Sequence, residues 1–181
     1  NFAEKYIPEK ARNLFTPENT ADIKRIEKAV LAVLRTKTLE ELKTLPDISE
    51  GIENKLFSAI GVATDLNQLY NTVKVKRYTL ARIRRLVLSA FIGIDNSFFM
   101  KKPPYVRVLG FNPRGEALLR ENASNSDIPI VMRVSQIERL SENARKLFAA
   151  ECRASDLFAL ALPEPLPCGR EYTSKLIKTE C

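Results

Sequence analysis

In the stretch TLARIRRLVLSAFIG (79–93), Ile83, Leu86, Val87, Ala90 and Phe91 recur at the i, i+3, i+4, i+7, i+8 spacing of one helix face. That rhythm constrains the fold more than any other feature, because a helix with such a stripe must bury it against neighbours. Thr79 caps its start and Gly93 terminates it. The preceding segments have the same texture. In 16–36, Thr16 is a cap, Pro17 the first helical residue, and Ile23, Ile26, Val30 and Val33 follow at helical spacing. Thr38 and Glu41 stand at capping-box spacing, and Pro46 closes that segment. Ile52, Leu56 and Ile60 make a third stripe, and Leu66, Leu69, Tyr70 and Val73 a fourth. Short helices with short links predict a compact helical bundle.

The pattern changes near residue 95. YVRVLGF (105–111) is rich in β-branched and aromatic residues, NPRGEALLREN (112–122) reads as a short helix with Asn112 capping, and IPIVMRV (128–134) reads as a second strand. This predicts a small parallel βαβ unit. A closing helix follows at 141–162, capped by Ser141, and then an extended, proline-bearing tail. The expected fold is mainly α (α+β), a compact helical bundle with a small appended βαβ unit. Residues 1–95 form the helical domain, which carries a basic helix at 79–92. Residues 96–181 hold the βαβ unit, closing helix and tail.

The 181 residues include no histidine. A histidine base, a Ser-His or Cys-His pair and a histidine-ligated metal are therefore excluded from them. Cys152, Cys168 and Cys181 are odd in number and lack metal spacing, which predicts reduced thiols and a cytoplasmic location. No run of apolar residues is long enough for a membrane span, and the first residues have no apolar signal segment.

The formal net charge is +7. Residues 66–115 hold ten basic residues against one acid, Asp95, while the remaining residues are slightly negative. Concentrated positive charge draws polyanions. Lys74, Lys76, Arg77, Arg82, Arg84 and Arg85 are therefore candidate phosphate contacts, and Lys101, Lys102, Arg107 and Arg114 extend the track. Tyr78 either stacks on a base or staples the helix entry. A solvated polar face is the competing reading, disfavoured by the missing acids. Three other features read as structural. Gly110 and Gly115 suit a turn better than a phosphate loop, Asp47 and Glu50 have capping-box spacing, and Cys152 falls near core positions of a helix.

DISEGIENKLFSAI (47–60), VKRYTLARIRRL (75–86), PPYVRVLGFNPRGEALL (103–119), IPIV (128–131) and RASDLFAL (153–160), in this order, resemble the carboxy-terminal half of the bacterial tRNA(Met) cytidine acetate ligase family, formerly described as predicted nucleotidyltransferases. The resemblance implies ATP-dependent activation of acetate as acetyl-adenylate and transfer of acetyl to the wobble cytidine of elongator tRNA(Met). It places that chemistry in an amino-terminal domain with an HxGH motif, which these residues lack. The chain is then expected to be a tRNA-binding accessory region that follows a missing catalytic domain and is inactive alone. It would hold no catalytic, cofactor or metal residues of its own, with ATP and acetate used by the whole enzyme. The implied partners are tRNA and that amino-terminal domain. Lys76, Arg77, Tyr78, Thr79, Arg82 and Arg85 carry the family block, while Val75, Leu80 and Ala81 depart from it. One alternative is a structural role, packing on the nucleotidyltransferase domain without RNA contact. Another is a small autonomous enzyme working through Lys or Tyr.

Overall fold

The computed structural model describes residues 6–14, 20–122 and 125–180. Thr16 and Pro17, the expected start of the first long helix, lie outside them. A 3-10 turn at Ile23–Ile26, capped by the Asp22 carboxylate, leads into α1 (Glu27–Arg35). Four further helices follow: α2 (Leu39–Lys43), α3 (Ile52–Val62), α4 (Leu66–Val73) and α5 (Leu80–Ile92).

Their ends are written in local chemistry. Thr38 Oγ1 accepts from the Glu41 amide at 3.2 Å, and Glu41 Oε2 accepts from the Thr38 amide at 2.8 Å, a complete capping box. Asp65 caps α4 and Thr79 caps α5. Gly93 ends α5 at φ 80°, a left-handed conformation that a side chain resists.

The stripes of α1 to α5 meet in one apolar core. Val30, Leu34, Leu42, Ile52, Leu56, Leu69, Val73, Ile83, Leu86 and Val87 lie within it, almost fully buried. Burying each such side chain contributes about 1.5–3 kcal/mol. Polar ties lock the helices at their ends: Glu27 Oε2 accepts from the Leu66 amide at 2.8 Å, and Arg35 donates to the Ala63 carbonyl at 2.9 Å.

The second half has a smaller core of Tyr105, Val131, Ile137, Ala144, Phe148 and Cys152. It is built from β1 (Val106–Arg107), β2 (Gly110–Phe111), α6 (Pro113–Asn122), β3 (Ile130–Val131), α7 (Val134–Ile137), α8 (Glu142–Leu160), α9 (Arg170–Thr173) and β4 (Ile177–Lys178). The chain is thus mainly α with a few short parallel strands. The single strand expected over 105–111 is instead two strands in different sheets: β1 pairs in parallel with β3, and β2 pairs in parallel with β4. The expected strand over 128–134 shortens to two residues and turns into α7. The tail is not simply extended, since α9 and β4 lie within it. Helix α8 joins the two cores. Its Phe148 and Cys152 enter the second, and its Leu157 packs on the first.

The β2–β4 pair depends on Gly110. A Cβ there would stand 2.9 Å from the Ile177 carbonyl oxygen, inside van der Waals contact with backbone that cannot swing away. Gly110→Ala is expected to lower stability by about 1–3 kcal/mol by forcing β4 off β2. Urea unfolding of the two proteins measures this, and equal midpoints would refute the close approach.

Candidate functional site

Helix α5 buries its apolar stripe, so its three arginines must emerge elsewhere. They emerge toward different partners. Arg82 Nη2 donates to the Asp47 carbonyl and to Ser49 Oγ, both at 2.6 Å, and Nε donates to the same Asp47 carbonyl at 3.1 Å. Arg85 Nη2 pairs with the Asp47 carboxylate at 2.9 Å. Arg84 lies over the Tyr70 ring, 5.6 Å from its centroid. Two of the three are thus fastened to the loop before α3.

That loop differs from its expected form. Asp47 and Glu50 do not build a capping box, because α3 starts at Gly51 with no side-chain cap. Asp47 (φ 64°) and Glu50 (φ 59°) instead adopt the left-handed conformation, which costs a non-glycine residue on the order of 1–2 kcal/mol each. Bonds from α5 and the turn before it offset this strain. Besides the arginines, the Tyr78 hydroxyl donates to the Glu50 carbonyl at 2.6 Å.

Tyr78 is thereby explained. Its ring is 3% exposed and closed to a stacking base, and Arg77 and Arg82 flank it at 5.6 and 5.8 Å. Val75 and Tyr78 form an antiparallel bridge, which turns the chain sharply and puts Lys76 and Arg77 at the exposed tip. Lys74, the residue ending α4, is exposed beside them. The side chains of Lys74 and Lys76 make no hydrogen bond or ion pair among the described residues, and that of Arg77 makes only its contact with the Tyr78 ring. A shallow groove of about 500 Å³ lies between this turn and the start of α3, and Lys55 shares it with Lys76 and Arg77. Sequence reasoning missed Lys55. The available signal was its place off the Ile52–Leu56–Ile60 stripe of α3, one turn after Gly51.

The remaining candidates are not gathered here. Lys101 and Lys102 are exposed on the segment between α5 and β1, and Arg114 is exposed on the first turn of α6. Arg107 is not a surface cation. Its side chain is 17% exposed, it pairs with Glu171 and with Glu151 at 3.8 Å, and it lies over the Phe148 ring at 5.3 Å. Its expected place in a phosphate track is corrected accordingly, since two carboxylates already neutralise it. The amide of Gly115 at the α6 start is taken by Asn112 Oδ1 at 2.8 Å, which agrees with the turn reading rather than a phosphate loop.

No charged side chain is buried among the described residues, and no cluster of His, Cys, Asp and Glu is placed to hold a metal ion. A buried lysine for an autonomous enzyme is therefore missing from them. Burial pushes the Cys152 thiol up, away from thiolate reactivity. No helix of the described residues is long and apolar enough to cross a membrane.

Residues 1–171 match the family model described as HIGH Nucleotidyl Transferase. The chain belongs to that family. It is 32% identical to the tRNA(Met) cytidine acetate ligase of Thermoanaerobacter sp. (strain X514), over 97% of this chain and 45% of that protein. The protein of the same name from Clostridium kluyveri (strain ATCC 8527) is 34% identical, over 82% of this chain and 36% of its own length. The crystal structure of Thermotoga maritima TmcAL bound with alpha-thio ATP superposes with a TM-score of 0.84 at 20% identity, covering 96% of this chain and 47% of that one. At that identity the likeness establishes the fold. The chain spans less than half the length of these relatives.

The family match corrects the expected domain role. An accessory region set apart from a catalytic domain would fall outside the nucleotidyl transferase family model, yet the model lies on residues 1–171 of this chain. The separate amino-terminal catalytic domain expected as a partner falls with it.

Two outcomes test this site. Arg82→Ala removes three bonds to a strained loop and is expected to cost about 1–3 kcal/mol, whereas Lys76→Ala stays within about 0.5 kcal/mol of the parent. Equal urea midpoints for the two variants would contradict the staple. The second concerns acid. The Ser155 hydroxyl, and then Arg107, hold the Glu171 carboxyl below its ordinary value of 4.5. A depressed folded value contributes stability that is present above the ordinary value and is lost as pH falls through the folded one. Glu171→Gln should therefore flatten the acid limb of the stability curve below pH 4.5 and leave its slope near neutrality unchanged. An unaltered acid limb would count against the pair.

Proposed function

We propose that the chain is part of the nucleotidyltransferase body of an ATP-dependent ligase that acetylates the wobble cytidine of elongator tRNA(Met), and that its α4–α5 turn holds tRNA phosphates. The relatives' names support the enzyme class, and the neighbour's bound alpha-thio ATP supports ATP as a substrate of the whole protein. The observation that carries the contact surface is the exposed Lys74, Lys76 and Arg77, with Lys55 across a shallow groove and no carboxylate paired to any of them among the described residues. Three cations lining one groove, Lys55, Lys76 and Arg77, with Lys74 exposed beside it and none of the four paired to a carboxylate among the described residues, suit phosphodiester oxygens.

Arg82 and Arg85 have a different part in this reading. Held on loop 47–51, they fix the turn and the start of α3 in one arrangement, so that the groove is formed before the ligand arrives. Arg84, Lys101, Lys102 and Arg114 add long-range attraction, and Tyr78 supports the turn from beneath. The residues contain no histidine, so histidine chemistry is not theirs.

The Lys74/Lys76/Arg77→Ala protein is expected to bind elongator tRNA(Met) at least about tenfold more weakly near ~0.1 M salt. Its plot of log affinity against log salt should be shallower by about two to three, since each lost contact releases fewer counterions. Filter binding over a salt series measures both. Unchanged affinity with an unchanged slope would sink the reading and favour a purely structural turn.

A further inference from the structure

A cleft of about 710 Å³ opens between β1–β2, α6, the β3–α7 junction and the tail from α9 to β4. It is distinct from the groove at the α4–α5 turn and shares no lining residue with it. We propose that this cleft binds a nucleoside phosphate, with the phosphate held by Arg133, Lys175 and Lys178 and the nucleoside laid on the apolar wall.

The charge pattern argues for an anion. Five cations line the cleft against one carboxylate, Glu116. Arg120 takes Glu116 at 2.8 Å, and Arg107 is taken by Glu171 beneath. Arg133, Lys175 and Lys178 are left, with no acidic partner among the described residues. They arrive from two separate elements, so no single run of sequence accounts for their convergence. Holding like charges around one concavity is unfavourable without a counter-charge, and the walls concentrate the field.

The placement is backbone-anchored, as a binding site requires. Gln136 Oε1 accepts from the Met132 and Arg133 amides, both at 2.8 Å, which fixes the turn carrying Arg133. The Ile177 amide donates to the Leu109 carbonyl and the Thr179 amide to the Phe111 carbonyl, both at 3.1 Å. These bonds hold Lys175 and Lys178 over the cleft, with Lys178 5.5 Å from the Phe111 ring centroid.

The rest of the wall is apolar. Leu109 is 66% exposed and Met132 39% exposed, with Leu119, Val134 and Leu176 beside them. Free phosphate has no use for such a wall, whereas a planar base does. The cleft's volume also falls within the range of small-ligand sites, about 300–1,000 Å³. The nucleoside phosphate comes either free, as a nucleotide, or as one unstacked residue of an RNA strand. The chemistry of the site is the same in both cases.

The test uses the protein with two probes, ATP and a 5′-phosphorylated hexa-adenylate, by calorimetric titration. At least one is expected to bind, and adenosine at least tenfold more weakly than ATP where ATP binds. Lys175→Glu/Lys178→Glu, and separately Arg133→Glu, should each weaken that binding at least tenfold. ATP alone identifies a free nucleotide, the oligomer alone a strand, and both together a site open to either. In the unmutated protein, photolabelling with 8-azido-ATP or a 4-thiouridine-bearing oligomer should mark peptides within 105–111, 130–136 or 172–178, which guards against a variant that fails to fold. No binding of either probe, affinities unmoved by both charge reversals, or labelling confined elsewhere would each overturn the site. Because Lys74, Lys76 and Arg77 are untouched in these variants, such a failure leaves the tRNA-binding turn standing, and the reverse holds for the turn.

Discussion

Everything on the basic side of this molecule depends on how α5 is seated. Five apolar side chains of that helix enter the main core, which leaves its arginines no choice but to face outward along the edges of the stripe. Arg82 then meets the carbonyl of Asp47 and the hydroxyl of Ser49, and Arg85 meets the Asp47 carboxylate. A loop with two non-glycine residues in the left-handed conformation is held in shape by these contacts. Hydrophobic burial thus fixes the helix, the helix fixes the loop, and the loop fixes the groove beside Lys76 and Arg77.

The same chain of dependence divides the cations into two kinds. Arg82, Arg85 and Arg107 are occupied by groups of this chain, and their work is structural. The side chains of Lys55, Lys74, Lys76 and Arg77 make no hydrogen bond or ion pair among the described residues. The distinction is one of available hydrogen-bond capacity rather than of charge, since all seven carry one positive charge. A phosphate would have to displace a carboxylate from Arg85 or Arg107, but only water from Lys76.

Much of this was legible in the sequence where the physics is local. The capping box of Thr38 and Glu41, the caps at Thr79 and Ser141 and the stop at Gly93 all depend on residues within a turn of one another. The apolar stripes of α3, α4 and α5 were legible for the same reason. What escaped was non-local. Counting charge from 66 to 115 found one acid, but Asp47 and Glu171 reach that window from outside it, 38 and 64 residues from the arginines they meet. The run 105–111 looked like one strand because its composition is uniform. Its division follows from two different parallel partners, which no local pattern announces. The assignment to an accessory region failed differently. Motif blocks placed the chain within a protein, whereas a match along residues 1–171 placed it within the nucleotidyl transferase family itself.

The central claim is that the α4–α5 turn, and not the arginine face of α5, meets the tRNA. Lysine-modification footprinting of the protein with and without saturating elongator tRNA(Met) tests it most directly. Protection is predicted at Lys55, Lys74 and Lys76, with Lys37 and Lys43, both paired to glutamates of α2, modified equally in the two states. Equal modification of Lys55, Lys74 and Lys76 in the bound and free protein would contradict the account.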